Sequence, residues 1–306
     1  MGTEKRKKIL LIIITTIGVL VLGAGGYVWQ VVMSTVANIQ ENIDRVKSEK
    51  RLEEINFKDG DPISVLLMGV DDLESRQDLG RSDSLILLTI NPHTESINMV
   101  SIPRDTYTEI RGNRTKDKIS HAHAIGGSQM TIRTVEHFLD VPVDYFVKVN
   151  MESFKDIVDA VGGVEVYNDL DFTFYDEHYP KGTISLDGEK ALGYSRMRHA
   201  DPRGDFGRQL RQRQVIEAVI KKGSSISSIT NFTDIFQVVE NNVKTNLTLD
   251  DMWNIQSGYK KAINHIEQHQ MEGEDKKKNG VYYYFPDEEN LQLLSNELKE
   301  HLEVNK

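Results

Sequence analysis

The chain has 306 residues, 39% of them apolar, so it can bury a substantial core and is neither disordered nor collagen-like. The first eight residues carry +3 of a formal net charge of −10, which leaves −13 for the rest and argues against a nucleic-acid partner. The absence of cysteine excludes disulfides, thiol nucleophiles and cysteine-ligated metals.

A membrane anchor is predicted near the N-terminus. Residues 1–8 form a short basic tail, and the apolar run of residues 9–33 supplies the roughly 20 residues that a spanning helix needs. By the positive-inside rule, the tail lies in the cytoplasm and the rest of the chain outside, as in a single-pass type II protein of the cell membrane. A cleaved signal peptide is the alternative, but the apolar run exceeds the usual core of about 7 to 15 residues.

Residues 34–60 are polar and rich in helix formers, which predicts a helical stalk below an extracytoplasmic domain of residues 61–306. Three strands are predicted next, at "ISVLLMGVD" (63–71), "DSLILLTINP" (83–92) and "INMVSIPRD" (97–105). The turn "PHTE" between the last two predicts an antiparallel hairpin.

The hairpin register predicts a charged cluster. If the turn centres between His93 and Thr94, Asp83 lies opposite Arg104. Asp71 ends the first strand, so it lies near the same sheet edge if those strands adjoin.

Helices and strands alternate along the next part of the chain. Amphipathic helices are predicted at "GGSQMTIRTVEHFLDV", "MESFKDIVDAVGG" and "DFGRQLRQRQVIEAVIKK", and strands at "VDYFVKVN" and "VEVYN". This alternation favours a three-layer α/β/α sandwich with a mixed central sheet. The final third contains the segment "NFTDIFQVVENNV", a predicted strand at "VYYYFP" and a predicted helix at "ENLQLLSNELKEHL", and "EGEDKKKNG" (272–280) is interpreted as a solvated loop.

The stretch "YSRMRHADPRGDFGRQLRQRQ" (194–214) is unusually rich in arginine. In an extended segment Arg196 and Arg198 share one face, and in the following helix Arg208 and Gln212 share another. A single arginine of an acidic protein mostly forms an exposed salt bridge. Several together suit a phosphate, because the planar guanidinium donates paired hydrogen bonds.

Two further sets of side chains have metal-like chemistry. Asp71 and Asp83 are turn or cap residues in one interpretation and ligands of a hard divalent cation such as Mg²⁺ in the other. His121 and His123, in the extended segment "KISHAHAIGG", are expected to pack and hydrogen-bond in the ordinary way because no third ligand converges on them. Nucleophile-elbow, P-loop and HExxH patterns are absent.

The ordered series "LLMGVD", "RSDSLILLTINP", "VSIPRDTY", "DKISHAHAIGG", "VDYFVKVN", "DAVGGVEV", "LDGEKALGYSRMRH" and "DPRGDFGRQLRQRQ" resembles the LytR-CpsA-Psr family over a motif core of residues 63–220. The resemblance implies an α/β fold with an apolar pocket for a polyprenyl tail. It also implies a membrane-anchored enzyme that moves an undecaprenyl-pyrophosphate-linked polymer, such as wall teichoic acid, onto the C6 hydroxyl of N-acetylmuramic acid in peptidoglycan.

The resemblance also assigns roles to residues. Asp71 and Asp83 bind Mg²⁺, with Mn²⁺ as the alternative ion. By the resemblance, the residues expected to bind pyrophosphate are Arg104, Lys118, Arg196, Arg198, Arg208 and Gln212.

Arg81 is added to the predicted pyrophosphate-binding set. The predicted catalytic set is Arg104, Arg198, Arg208 and Asp205, the last because it lies beside the arginine cluster. Ser120 departs from the family pattern, where many members have asparagine, and we expect the chemistry to be unaffected.

The expected reaction is phosphoryl transfer with release of undecaprenyl phosphate, in which arginines and the metal neutralise charge on the phosphoryl oxygens. Asp205 and Asp201 are the candidate bases, and Asp205 is equally well interpreted as a helix cap. Three alternatives remain: a lipid-pyrophosphate pyrophosphatase, a polyprenyl-phosphate-binding module without catalysis, and a transcriptional regulator.

Overall fold

The computed structural model describes residues 38–71, 79–224 and 243–304. The predicted anchor, residues 9–33, lies outside this part of the chain, as does most of the segment "NFTDIFQVVENNV". Over the described ranges, no helix combines the length and apolar character needed to cross a membrane.

The described residues form a mixed α/β fold. The strands are β1 (Ile63–Asp71), β2 (Arg81–Asn91), β3 (Ser96–Ile102), β4 (Tyr107–Ile110), β5 (Thr115–Lys118), β6 (Tyr145–Val149), β7 (Val164–Asn168), β8 (Phe172–Phe174), β9 (Glu177–Tyr179), β10 (Gly182–Leu186), β11 (Val243–Thr245), β12 (Ile266–Gln270), β13 (Gly273–Lys278) and β14 (Val281–Pro286). The helices are α1 (His121–Leu139), α2 (Met151–Ala160), α3 (Gly188–Arg196), α4 (Asp205–Ser224), α5 (Leu249–Gly258) and α6 (Glu288–His301), with a 3₁₀ helix at Lys260–Asn264.

The central sheet has the strand order β11-β6-β1-β2-β3-β12. Strand β1 is antiparallel to β2 and parallel to β6, and β12 is parallel to β3. The predicted α/β fold with a mixed sheet is therefore confirmed. In the β2–β3 hairpin, Leu85 pairs with Ile102 and Asn91 with Ser96, so the turn centres where the sequence predicts.

Helices cover both faces of this sheet. On one face, apolar side chains of α1 and α6, such as Val135 and Leu298, pack with Leu66 and Phe146 of the sheet. On the other face, the 3₁₀ helix, α4 and α5 cover residues such as Ile86. Each fully buried aliphatic side chain of this kind stabilises the fold by about 1.5–3 kcal/mol.

A second, smaller core lies between α2, α3, α4 and the β7–β10 pair. Tyr194 of α3 and Val215 of α4 are fully buried in it. Helix α4 also contributes Ile216 and Ile220 to the sheet core. The arginine-rich stretch therefore lies at the junction of the two cores, and packing on both sides fixes its position.

Three local expectations are wrong. Residues 41–60 are turns and bends that pack along the domain, so this part of the predicted stalk is not helical. The lysine-rich loop forms strand β13, paired with β14, whose exposed side chains give no apolar pattern to detect. The segment from His121 to Ile125 is helical, and α1 breaks at Gly126 and Gly127.

The segment before β1 is held to the domain by Arg51. Its Nε and Nη2 each donate 2.7 Å hydrogen bonds to the Asp144 carboxylate, and Nη2 also donates to the carbonyl of Pro62. Asp144 also accepts from the backbone amide and hydroxyl of Ser64, at 2.8 and 2.9 Å. This paired carboxylate thus joins the N-terminal segment to β1 and to the loop before β6.

We expect Arg51→Ala to lower the free energy of unfolding by about 3 kcal/mol, because it leaves Asp144 buried without its cation. Equilibrium urea unfolding measures this change. The control is Glu53→Ala, an exposed position in the same segment, with an expected change within about 0.5 kcal/mol. Equal stability of the two variants would contradict the role of the pair.

Candidate functional site

The predicted pairing of Arg104 with Asp83 is present. Arg104 follows β3, after Pro103 has ended the strand, and its Nη1 lies 3.2 Å from Asp83 Oδ1. Both side chains are partly exposed, at 23% and 32%. The ion pair sits at one end of the central sheet, where it can meet a ligand from solvent.

A β-bulge gives Asp83 its position. Gly69 of β1 pairs with Ser84 and Val70 pairs with Ser82, so Asp83 is the extra residue of β2. Bulges at strand ends redirect side chains and are frequent beside active sites. The sequence places Asp83 at this edge, and the bulge is a feature that sequence patterning missed.

Asp71 and Asp83 provide a donor set that suits the predicted metal. Asp71 is the last residue of β1, opposite Arg81, and both carboxylates are half-buried at the same end of neighbouring strands. Mg²⁺ binds one or two carboxylates and completes its coordination with water and phosphate oxygens. The chemistry of these two carboxylates therefore fits Mg²⁺ or Mn²⁺.

The loop between α3 and α4 is built around a buried ion pair. Arg211 is 1% exposed, and its Nη1 donates to Asp201 Oδ2 at 2.6 Å. The same guanidinium donates to the carbonyls of Tyr194 and Met197. Asp201 lies so close to α4 that a Cβ at Gly207 would come within 1.9 Å of Oδ2, which explains the glycine.

Asp201 is also bound by Arg203, whose backbone amide and side chain both donate to it. Burial by itself raises the pKa of the Asp201 carboxyl, but the hydrogen bonds from Arg203 and Arg211 outweigh it and lower the pKa to about 2. A carboxylate with so low a pKa is a poor proton acceptor near neutral pH. This favours Asp205 over Asp201 as the base.

Arg208 is a buried cation with an incomplete set of partners. It is 9% exposed; Nη2 lies 2.6 Å from Asp205 Oδ1, whereas Nε has no hydrogen-bond partner in the described part of the chain. Burial lowers the pKa of the Arg208 guanidinium, and the nearby charges of Arg104 and Arg198 act in the same direction. Asp205 and Asp83 oppose that change. Three guanidiniums thus gather beside the carboxylates of Asp83 and Asp205, and Asp105 lies 3.7 Å from Arg104 Nε. The buried, unpartnered Nε of Arg208 is a donor that an anion would satisfy.

Asp205 begins helix α4 and does not precede it as a cap would. Its carboxylate contacts Arg208 and accepts a 2.9 Å hydrogen bond from Gln209 Nε2. Gln212, one turn after Arg208, accepts a 3.1 Å hydrogen bond from Ser84 Oγ of β2. This contact holds α4 over the strand that carries Asp83.

The structure gives the other residues predicted to bind pyrophosphate different surroundings. Lys118 ends β5, and its Nζ lies 2.6 Å from Asp105 Oδ1. Arg81 is exposed. Arg196 is exposed as the last residue of α3, and the extended backbone begins only at Met197, so Arg196 and Arg198 do not share a strand face. The roles of Arg81 and Arg196 in anion binding remain predictions.

Three of the six arginines in the 194–214 stretch have structural partners. Arg211 binds Asp201, and Arg203 binds Asp201 and, through two hydrogen bonds, Asp169. Arg213 is buried against Ser101 Oγ and Gln268 Oε1, and burial lowers its pKa to about 10. Arginine content alone therefore does not identify the anion-binding residues, because half of the set organises the fold.

The two histidines of "KISHAHAIGG" do not converge on a ligand. His121 Nδ1 lies 2.8 Å from Asp117, and buried His123 Nδ1 lies 3.0 Å from the carbonyl of Gly80. Each ring therefore makes an ordinary hydrogen bond through Nδ1, as expected, whereas the buried Nε2 of His123 has no hydrogen-bond partner in the described part of the chain. Among the described residues, the group of three potential metal ligands that lie within 4.8 Å of one another is Glu267, His269 and Glu297, on β12 and α6.

A cleft of about 640 Å³ opens beside the arginine–carboxylate cluster. Its lining includes Arg198 and Asp205, and also Asp105, Asp275 and Tyr282. The sequence patterns do not point to these last three. Asp105 follows Arg104 directly, which is a usable signal, whereas Asp275 and Tyr282 come from the β13–β14 hairpin, far from α4 in the sequence, and carry no such signal.

The end of the sheet identifies a class of protein: an α/β domain in which arginines and carboxylates gather at one end of the central sheet. The chain belongs to the LytR-CpsA-Psr family, because the model of the LytR_cpsA_psr family matches residues 26–300.

Comparisons with known proteins agree with this assignment. The chain is 58% identical over 303 residues, 98% of each chain, to the polyisoprenyl-teichoic acid–peptidoglycan teichoic acid transferase TagU of Bacillus subtilis (strain 168). The crystal structure of B. subtilis TagU is 56% identical, with a TM-score of 0.65, over 79% of this chain and 97% of that one. TagT bound to LIIa-WTA is 37% identical, with a TM-score of 0.74, over 84% and 96% of the two chains.

The predicted apolar pocket for a polyprenyl tail remains a prediction. Besides the 640 Å³ cleft, a cleft of about 940 Å³ lies between α2, α4 and the β7–β10 pair, lined by residues such as Glu165 and Lys222. Residues 72–78 and 225–242 lie outside the described ranges.

We expect the Asp201 carboxylate to control stability at low pH. Its folded pKa of about 2 is below the ordinary value of 3.8, so its contribution is present above pH 4 and is lost as pH falls towards 2. The loss is about 2 kcal/mol. In Asp201→Asn, stability at pH 7 drops by about 3 kcal/mol, and this part of the pH dependence disappears.

Urea unfolding between pH 2 and 7 measures both effects. Asp171→Asn is the matched control, because that carboxylate is 65% exposed and pairs only with a surface histidine, His178. A variant at Asp201 that retained the wild-type pH profile would show that other carboxylates dominate acid unfolding.

Proposed function

We propose that this chain is a membrane-anchored transferase that attaches an undecaprenyl-pyrophosphate-linked anionic polymer, such as wall teichoic acid, to peptidoglycan. The acceptor in this proposal is the C6 hydroxyl of N-acetylmuramic acid, and undecaprenyl phosphate is the leaving group. The observation that carries the proposal is the convergence of Arg104, Arg198 and Arg208 on the Asp83 end of the sheet, in a chain 58% identical to a named teichoic acid transferase.

The arginine cluster supports a pyrophosphate donor. Arg208 is held in place by Asp205, and its buried Nε has no hydrogen-bond partner in the described part of the chain, so we assign a phosphate oxygen to it. Arg104 and Arg198 add positive charge from the two flanking loops. Guanidiniums fixed before the substrate binds stabilise charge on the transferring phosphoryl group without reorganisation during the reaction.

Asp71 and Asp83 are the residues that would hold Mg²⁺ or Mn²⁺. When bound, the ion supplies Lewis-acid stabilisation of the phosphoryl oxygens. Asp83 also pairs with Arg104, so it orients that guanidinium toward the same substrate.

The acceptor hydroxyl requires a base, and we assign this role to Asp205. Asp205 lines the cleft and contacts Arg208, so it adjoins both the acceptor's entry and the anion site. In the reaction, the acceptor oxygen forms a bond to the sugar-proximal phosphorus as its proton passes to Asp205. The bond from that phosphorus to the oxygen of undecaprenyl phosphate breaks.

The anchor and its orientation complete the proposal. A single N-terminal span with the folded domain outside the cell brings the site close to a lipid-linked donor and to the wall. A fusion reporter that places the domain in the cytoplasm would contradict this topology and revive a regulatory function.

We expect labelled polymer to move from a synthetic prenyl-pyrophosphate donor to peptidoglycan oligomers only when Mg²⁺ or Mn²⁺ is present. Arg198→Ala is expected to lower the transfer rate about 100-fold, because it removes one donor to the transition state. Arg111→Ala, at a half-exposed position on another surface, serves as the control and retains the wild-type rate.

Each other outcome identifies a different function. Release of polymer phosphate without a glycan adduct would indicate a pyrophosphatase, since water would have replaced the acceptor. Tight donor binding without turnover would indicate a binding module.

We expect Asp205→Asn to lower kcat by about 10²- to 10⁴-fold per folded molecule, because the acceptor hydroxyl loses its base. Circular dichroism and urea unfolding measure the folded fraction in parallel. If the variant loses stability but each folded molecule turns over at the wild-type rate, Asp205 is a structural residue and the base assignment is wrong.

A further inference from the structure

The 640 Å³ cleft has two well-defined walls. One wall is the loop after α3, including Arg198 and His199, and the other is the β13–β14 hairpin, including Tyr282. Pro103 and Phe206 contribute to the surface between them. The volume falls within the range of about 300–1,000 Å³ that is typical of small-molecule sites.

The hairpin wall is fixed to the catalytic side of the molecule. The backbone amide of Tyr284 donates a 2.9 Å hydrogen bond to the carbonyl of Asp105. The Tyr284 hydroxyl donates to the carbonyl of Met271, also at 2.9 Å. The ring of Tyr284 packs edge-on against Phe206, with centroids 5.8 Å apart. The cleft is therefore preformed, which reduces the entropy lost on binding.

The charges of the cleft do not favour a polyanion. Its charged lining consists of Asp105, Asp201, Asp205, Asp275, Arg198 and Arg203. Arg203 and three of the carboxylates already have ionic partners, since Lys118 pairs with Asp105, Arg211 with Asp201 and Arg208 with Asp205. Arg198 and Asp275 are left without an ion pair in the described part of the chain, so the cleft has no excess of positive charge to attract a polyanion. The polymer phosphates thus belong at the arginine cluster, and the cleft suits a neutral ligand with many hydroxyl groups.

Tyr282 provides the complementary apolar surface. Its side chain is 41% exposed, and it is two residues from Tyr284 on the same strand, so both rings face the cleft. Asp275 lies within hydrogen-bonding reach of the Tyr282 hydroxyl. A sugar ring has apolar C–H faces, which an aromatic ring covers, and a rim of hydroxyls, which donate to carboxylates.

The cleft leads to the proposed reaction centre. Asp205 lines the cleft, and its Oδ1 also lies 2.6 Å from Nη2 of Arg208. A hydroxyl that extends from a sugar in the cleft to Asp205 would therefore face a phosphoryl group held by Arg208.

We propose that this cleft binds the glycan strand of the peptidoglycan acceptor, with Tyr282 stacked on a sugar ring and Asp275 accepting hydrogen bonds from its hydroxyls. This inference rests on the proposed function and identifies Tyr282 and Asp275 as residues that determine acceptor affinity. Donor binding belongs to the arginine side and is independent of both.

The test uses the full chain in detergent micelles, with a synthetic prenyl-pyrophosphate-linked polymer as donor and uncross-linked peptidoglycan glycan oligomers as acceptor. Tyr282→Ala is expected to raise the KM for the oligomers about 10-fold, an effect of the order known for a nucleobase stacked on one aromatic ring. The KM for the donor is expected to stay within about twofold of the wild-type value. Tyr282→Phe retains the ring and is expected to stay near wild type. Tyr167→Ala, at a 59% exposed tyrosine on β7, is the control.

A second variant tests the proposal independently in case Tyr282→Ala fails to fold. Asp275→Asn is nearly isosteric, and it is expected to raise the acceptor KM severalfold with an unchanged circular dichroism spectrum. An unchanged acceptor KM in both Tyr282→Ala and Asp275→Asn would overturn the proposal. A raised donor KM with a normal acceptor KM would also overturn it, because the cleft would then hold the polymer.

Calorimetric titration of the same oligomers without donor separates this inference from the proposed function. Binding by the wild-type chain that Tyr282→Ala weakens about 10-fold supports the acceptor cleft even if no transfer is seen, in which case the transferase function alone fails. Equal binding by wild type and variant rejects the cleft even when transfer is intact.

Discussion

The buried guanidinium of Arg211 organises the segment on which the site is built. By binding Asp201 and the carbonyls of Tyr194 and Met197, it ties the end of α3 to the body of α4. Removing Asp201 would leave the Arg211 guanidinium buried without a carboxylate, with a cost of about 3–5 kcal/mol. The loop therefore keeps a single shape, and that shape sets where Arg198 and Asp205 lie relative to the sheet.

Arg208 differs from its neighbour Arg211 in its partners. Each nitrogen of the buried Arg211 guanidinium donates to a protein acceptor. Arg208 is almost as buried but has an unpartnered Nε in the described part of the chain, and two further guanidiniums lie close by. An incomplete set of partners around a buried cation is costly for folding, and a bound anion would remove that cost. In the proposed function, the same arrangement would stabilise charge on the phosphoryl group as it is transferred.

Asp205 adjoins both the arginine cluster and the cleft. Guanidiniums gather around the end of β2, whereas the cleft combines carboxylates, Arg198 and an exposed tyrosine ring. In the proposed function, this arrangement gives an anionic donor and a hydroxylated acceptor different places to bind and brings them together at one carboxylate. Specificity for two unlike substrates would then follow from electrostatics and shape.

The sequence by itself determined the strands of the sheet and the pairing of Asp83 with Arg104. Both depend on local rules, because side chains alternate along a strand and the position of a turn fixes the register of a hairpin. The ordered motifs also determined the family, and the length and charge pattern of the N-terminus predict an anchor. The helical pattern of the sequence did not distinguish Arg208 from Arg211, because the two arginines lie about one turn apart on the same helix.

Only the tertiary structure decided which arginines serve the fold and which face the ligand. That choice depends on which carboxylates and carbonyls packing brings within hydrogen-bonding distance, and a pattern along one helix does not contain this information. Strand β13 and the position of Tyr282 were decided in the same way. Their residues carry no apolar alternation, and their place beside α4 results from contacts between segments far apart in the chain, made when Tyr284 of the hairpin docks on Asp105 and Phe206.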